Sequence, residues 1–190
     1  MSLFGSDKLK GKKIAIVATD GFEQVELTKP KKYLEDEGAD VDVISLKSGS
    51  IKGWDMTDWG DKVDVDKTID EVNAADYDAL VLPGGQINPD KLRLEKSVVD
   101  FASEFMRSGK VVAAICHGPW TLIETGLVHG KTMTSWPSLK TDLKNAGAHW
   151  VDEEVVVDKG LITSRKPDDI PAFNKKIVEE ILEGQHAPRS

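Results

Sequence analysis

The stretch Lys110-Val111-Val112-Ala113-Ala114-Ile115-Cys116-His117-Gly118-Pro119 decides the fold. Val111 to Ile115 is a short apolar run without alternation, the pattern of a strand covered on both faces in a parallel sheet. Gly118-Pro119 then opens a helix, because proline is tolerated in a first turn. Cys116 therefore stands where a buried strand turns into a helix, in a small-x-nucleophile-x-small arrangement with Ala114 and Gly118. Such a turn lifts the side chain above the carboxyl ends of the strands, where open α/β sheets bind ligands. Unpaired N–H groups at the helix start favour thiolate over thiol, so a reactive cysteine is expected rather than an inert one.

The same signature recurs on either side of this stretch. Residues 12–18 and 78–82 read as further buried strands, and Val41 to Leu46 alternates as a strand after a helix spanning about 23–37 that stops at Gly38. A helix over about 91–108 separates the strands at 78–82 and 110–115. Residues 48–66, rich in Gly and Asp with short alternating pieces, predict a small hairpin appended to the sheet. Beyond Cys116 the expected elements are helices over about 118–125 and 138–146 and antiparallel strands at 154–157 and 161–164. A final helix follows over about 168–183, with Asp168 and Asp169 favouring its N-terminus. The sheet is thus mainly parallel, with helices on both faces. One domain over residues 1–190 is expected, with its core at about 12–183 and peripheral termini at 1–11 and 184–190.

Composition narrows the function classes. The chain has 33 acidic against 25 basic residues, a net charge of −8, which argues against nucleic acid as a main partner. No apolar stretch reaches the ~20 residues of a membrane span, and the N-terminal residues lack a signal-peptide apolar segment, so a soluble, cytoplasmic protein is expected. A single cysteine cannot form an intramolecular disulfide, and the four histidines lack a metal-ligand spacing; no metal or cofactor is expected.

Around Cys116 the candidate groups are few. His117 is a candidate general base, although adjacent side chains on a turn need not face each other. Pro83-Gly84-Gly85 closes the strand at 78–82 and can bring backbone N–H groups to the same end of the sheet, where they would act with the amide following the nucleophile as an oxyanion hole. Glu23 and Glu26 follow the first strand; spacing alone reads them as solvated first-turn acids.

Taken together, Gly21-Phe22-Glu23-Gln24-Val25-Glu26-Leu27, Tyr77-Asp78-Ala79-Leu80, Leu82-Pro83-Gly84-Gly85 and Ala114-Ile115-Cys116-His117-Gly118-Pro119 resemble the DJ-1/PfpI superfamily, specifically its PfpI-like branch. Asn145-Ala146-Gly147-Ala148, Glu154-Val155-Val156-Val157 and Thr163-Ser164-Arg165 extend the match in family order, from about Lys12 to Ile181. The resemblance implies a flavodoxin-like three-layer sandwich and a homo-oligomer, dimer or hexamer. It assigns Cys116 as nucleophile, Glu26 as a protonated acid touching its sulfur, and Gly85 and His117 as backbone oxyanion donors, against the spacing-only reading of Glu26. It also implies that Asp90 reaches the Cys116–His117 pair across a subunit interface.

Two departures from the family pattern, Trp120 after the Cys-His-Gly-Pro run and Trp136 in Thr134-Ser135-Trp136-Pro137, mark Glu23, Trp120 and Trp136 as a possible substrate pocket. The implied activity is that of a stress-protective cysteine enzyme acting on reactive carbonyls or glycated groups, deglycase- or glyoxalase-like. The alternatives are a PfpI-type peptidase acting on peptides and a non-catalytic general stress protein whose Cys116 is oxidised.

Overall fold

The computed structural model describes residues 5–190. In chain order its elements are β1 (Lys13–Val17), β2 (Phe22–Glu23), α1 (Gln24–Asp36), β3 (Asp40–Ser45), β4 (Ser50–Asp55), β5 (Asp58–Asp64), β6 (Lys67–Thr68), β7 (Ala79–Leu82), α2 (Ile87–Leu92), α3 (Lys96–Ser108), β8 (Val111–Ile115) and α4 (Pro119–Ile123). They continue with β9 (Thr132–Met133), α5 (Lys140–Asn145), β10 (His149–Trp150), β11 (Val156–Asp158), β12 (Leu161–Ser164) and α6 (Ile170–Glu183).

Seven strands form one sheet in the order β11-β12-β8-β7-β1-β3-β6, parallel throughout except for the antiparallel edge pair β11-β12. Its five inner strands have the flavodoxin-like order, and the chain reverses its winding direction between β1 and β7. Alternation along each strand divides the apolar side chains between two layers. Ile14, Ile16, Val81, Ala113 and Ile115 pack with Leu27 and Leu34 of α1 and Phe173 and Ile177 of α6. Ala15, Val17, Leu80, Leu82, Val112 and Ala114 face Phe101, Phe105 and Met106 of α3 and Leu122 of α4. The mainly parallel sheet expected from the buried runs, and the flavodoxin-like three-layer sandwich that the resemblance implies, are observed.

The differences are local. The helix expected over 91–108 is two helices, because Glu95 is extended (φ −89°, ψ 107°) and Arg93 to Glu95 form a turn. The break frees α2 to cover the carboxyl end of the sheet. The expected hairpin is β4–β5, and it is joined through β4 to β2 as a three-stranded sheet, which ties it to the start of α1. The two-residue strands β2, β6, β9 and β10 are too short to leave a periodic signal.

The terminal segments expected at the periphery are held down. Leu9 is fully buried. Arg189, 3% exposed, donates to the carbonyl oxygens of Phe105, Met106, Lys110 and Lys159. Residues 1–4 lie outside the described part. Among the described residues, no helix is long and apolar enough to cross a membrane.

Candidate active site

Cys116 is one of three non-glycine residues with positive φ among the described residues, at 61°. That left-handed conformation is unfavourable for an L side chain and persists where surrounding contacts over-determine it. Here they do. The Cys116 N–H continues the parallel ladder onto the Ser164 carbonyl (3.0 Å), the Gly118 N–H closes the turn on Ile115 O (2.9 Å), and the Trp136 N–H donates to Cys116 O (2.9 Å). A Cβ at Gly118 would stand 2.5 Å from Leu82 O, so the turn can pass that close to β7 only without a side chain. The sharp strand-to-helix turn expected from the sequence is present, and it leaves Cys116 6% exposed.

Adjacent side chains do face each other at this turn: Cys116 Sγ lies 3.1 Å from His117 Nδ1. The imidazole is held from both sides, edge-on to Trp120 (centroids 5.1 Å apart) and stacked on Trp136 (5.9 Å, 22° between planes). Its Nε2 has Ser138 Oγ at 3.5 Å, the limit of a hydrogen bond. Burial pulls His117 down to about 4, so the ring is neutral at neutral pH.

Glu26 is completely buried at the base of the site. Its Oε1 accepts the Gly84 N–H at 3.0 Å, and its Oε2 has no other hydrogen-bond partner among the described residues. Burial, reinforced by the charge of Glu23, pushes the carboxyl up to about 8, while the Gly84 N–H and the neighbouring Cys116 thiol pull it down. It is therefore protonated at neutral pH, in contrast to the solvated acid that helical spacing alone predicts. Burial raises the Cys116 thiol as well, and hydrogen bonds from the Gly85 and His117 backbones oppose the rise. Desolvation of the sulfur thus works against the thiolate that the helix start was expected to favour. The helix that follows is only five residues long, and a base kept neutral by its own burial lies 3.1 Å from the sulfur.

Gly84 and Gly85 shape the donor side. A Cβ at Gly84 would lie 2.6 Å from Glu26 Oε1 and 2.7 Å from Cys116 Cβ; one at Gly85 (φ 80°) would lie 2.4 Å from Gly21 O. The turn is fastened by Asn88 of α2, fully buried, whose Nδ2 donates to the carbonyl oxygens of Pro83 and Gly84 (3.1 Å each) and whose Oδ1 accepts the Thr19 N–H (2.8 Å). Asn88 thereby locks the ends of β1 and β7 together at the point where the winding reverses. Nothing in its sequence context distinguishes it.

Above these groups is a cavity of about 440 Å³, bordered by Glu23, Glu26, Gly85, Cys116 and His117 and walled by Trp54, Met56, Ile87, Trp136 and Pro167. Glu23 accepts the Met56 N–H at 3.1 Å, and burial raises its carboxyl. Trp136 borders the cavity as expected. Trp120 does not: it stands behind His117, with its Nε1 donating to Asp142 (3.0 Å) and Arg93 over its ring. Trp54 and Met56 escaped the sequence reading because they belong to a hairpin 60 or more residues from Cys116 along the chain.

Asp90 is exposed on α2, and its side chain makes no hydrogen bond or ion pair with His117 within the chain. The scattered histidines do yield one group: Glu180, Glu183 and His186 bring ligand atoms within 4.8 Å of one another at the end of α6, and none of the three borders this cavity.

The sequence matches the DJ-1/PfpI family over residues 12–180. It is 46% identical over 166 residues to the putative cysteine protease YraA of Bacillus subtilis, covering 87% of this chain and 95% of that protein. Over 167 residues it is 46% identical to protein/nucleic acid deglycase 2 of Escherichia coli, with the same shares covered. A two-domain protein of Anabaena variabilis with DJ-1/ThiJ/PfpI-like and ferritin-like domains superposes with a TM-score of 0.85 at 38% identity, over 90% of this chain and 48% of that one.

Proposed function

The chain belongs to the DJ-1/PfpI family, and from that membership we propose that it is a cysteine-dependent enzyme acting on reactive carbonyls and the adducts they form. The observation that carries the reading is geometric: the sulfur of Cys116 lies 3.1 Å from the imidazole of His117, and the fully buried carboxyl of Glu26 lies at the base of the same site; burial favours the neutral form of both groups. The relative named deglycase supports the substrate class.

As an α-oxoaldehyde enters, His117 Nδ1 takes the thiol proton and sulfur adds to the aldehyde carbon, forming a hemithioacetal. The Gly85 and His117 N–H groups stabilise the oxyanion, and Glu26 holds the sulfur through its proton. His117 then moves the proton from the aldehyde carbon to the adjacent carbon by way of an enediol, leaving a thioester of an α-hydroxy acid. Water hydrolyses the thioester and restores the thiol. The aldehyde carbon is oxidised and its neighbour reduced, so no external oxidant is needed. With a glycated amine or thiol, the same attack first displaces the amine or thiol, protonated by His117.

A peptide is the less favoured substrate. Cys116 is 6% exposed at the base of a cavity walled by Trp136 and the hairpin, and an extended polypeptide needs open cleft on both sides of the nucleophile. In an assembled oligomer, Asp90 of a second subunit would orient His117 through Nε2, whose neighbour within the chain is the weakly placed Ser138. The deciding experiment is turnover of methylglyoxal and of glycated thiols by wild type and Cys116→Ser. Loss of turnover in the variant supports the reading; equal rates remove it.

A further inference from the structure

We infer that the site is built for an α-oxoaldehyde carrying an aromatic group, gripped by Met56 and Trp136; the inference rests on the carbonyl chemistry proposed for Cys116. Its starting point is the backbone of Met56, which has φ 59° at the tip of the β4–β5 hairpin. Glycine makes such a turn without strain. Here a methionine holds it, pinned on both sides: its N–H donates to Glu23 Oε1 and its carbonyl accepts from Trp54 Nε1, each at 3.1 Å. The pinned backbone leaves the side chain 66% exposed on the cavity wall. A strained, exposed thioether at the rim of a site is explained by what it contacts when the site is filled, and thioethers pack favourably on aromatic rings.

Trp136, 38% exposed on the same cavity, presents a second apolar surface, and its position is set by its N–H on Cys116 O and its stacking on His117. Ile87 and Pro167 extend that wall, with Gln86 the one polar side chain beside them, whereas the other polar groups gather at Cys116, His117, Glu23 and Glu26. A ligand matching this division has a dicarbonyl head and an aryl tail. A three-carbon oxoaldehyde leaves most of the 440 Å³ empty, a volume in the range that encloses larger ligands. The balance of the reaction is unchanged: phenylglyoxal and water give mandelate by internal oxidation and reduction, with sulfur adding to the aldehyde carbon and leaving on hydrolysis.

The test compares kcat/KM for phenylglyoxal and methylglyoxal in wild type, Met56→Gly and Trp136→Leu. Met56→Gly relieves the backbone strain and should fold. Wild type is expected to favour phenylglyoxal about tenfold or more, the discrimination an apolar pocket provides, with the ratio falling several-fold in each variant. Equal kcat/KM values, or a ratio unmoved by both substitutions, overturn the inference and leave the carbonyl chemistry standing. Turnover of neither compound overturns the carbonyl reading instead. The aryl site is then judged by mandelate and lactate binding to Cys116→Ser, followed through tryptophan fluorescence. Mandelate binding about tenfold tighter, and weakened by Met56→Gly, sustains it; equal binding removes it.

Discussion

His117 Nδ1 lies 3.1 Å from the sulfur of Cys116, its own neighbour in the chain. Consecutive side chains rarely meet this way. The φ of 61° at Cys116 turns the two toward the same crevice, and the rings of Trp120 and Trp136 hold the imidazole there. The base is thus fixed by packing, and burial keeps it neutral.

The pH dependence of kcat/KM follows from the two buried groups. Activity requires neutral His117, which titrates at about 4, and protonated Glu26, which titrates at about 8. A bell with limbs near those values is expected. In Glu26→Gln the residual activity should lose the alkaline limb; an alkaline limb unmoved by the substitution would assign it to another group.

Stability should vary with pH for the same reason. The folded Glu26 keeps its proton up to about 8 whereas the unfolded chain releases it near 4.5, so the folded state binds more protons between these values and stability falls as pH rises. His117 is displaced downward from 6.5 to about 4, so its contribution is lost as pH falls through that window. Between 4.5 and 6.5 the slopes oppose each other. From 6.5 to 8 Glu26 acts alone, and unfolding free energy should drop by about 2 kcal/mol. Urea titrations at the two pH values measure it, and Glu26→Gln should be nearly flat over the interval.

Asn88→Ala should damage catalysis from outside the cavity. It removes three hydrogen bonds from buried backbone groups of the Gly84–Gly85 turn and the end of β1, at a cost of about 2–4 kcal/mol in stability. With the Gly85 N–H displaced from the sulfur, kcat should fall more than tenfold with little change in KM. A stability loss with unchanged kcat would make Asn88 purely structural.

Arg189 offers a test remote from the site. It is buried under four carbonyl oxygens from the end of α3, the start of β8 and the turn before β12. Arg189→Ala should lower the unfolding free energy by roughly 2–3 kcal/mol, as for hydrogen bonds to a charged group, and leave KM unchanged. Thermal unfolding of the variant checks the first expectation and steady-state kinetics the second.

Local periodicity and turn chemistry were enough to place the sheet, its two helical layers and the cysteine turn. Val111 to Ile115 is apolar at every position and Gly118-Pro119 must start a helix, so the position of Cys116 was legible before any contact was known. The proton state of the site was not. Glu26 follows the first strand and has the spacing of a solvated acid; it becomes a buried, protonated group only because Gly84, 58 residues away, closes over it and the hairpin brings Met56 onto the neighbouring Glu23. The sequence by itself determined that a thiol stands at the end of a buried strand. Tertiary structure decided that this thiol is buried, that its base is neutral and caged by tryptophans, and that the cavity wall is largely apolar, because desolvation and encounter across long chain separations leave no local pattern.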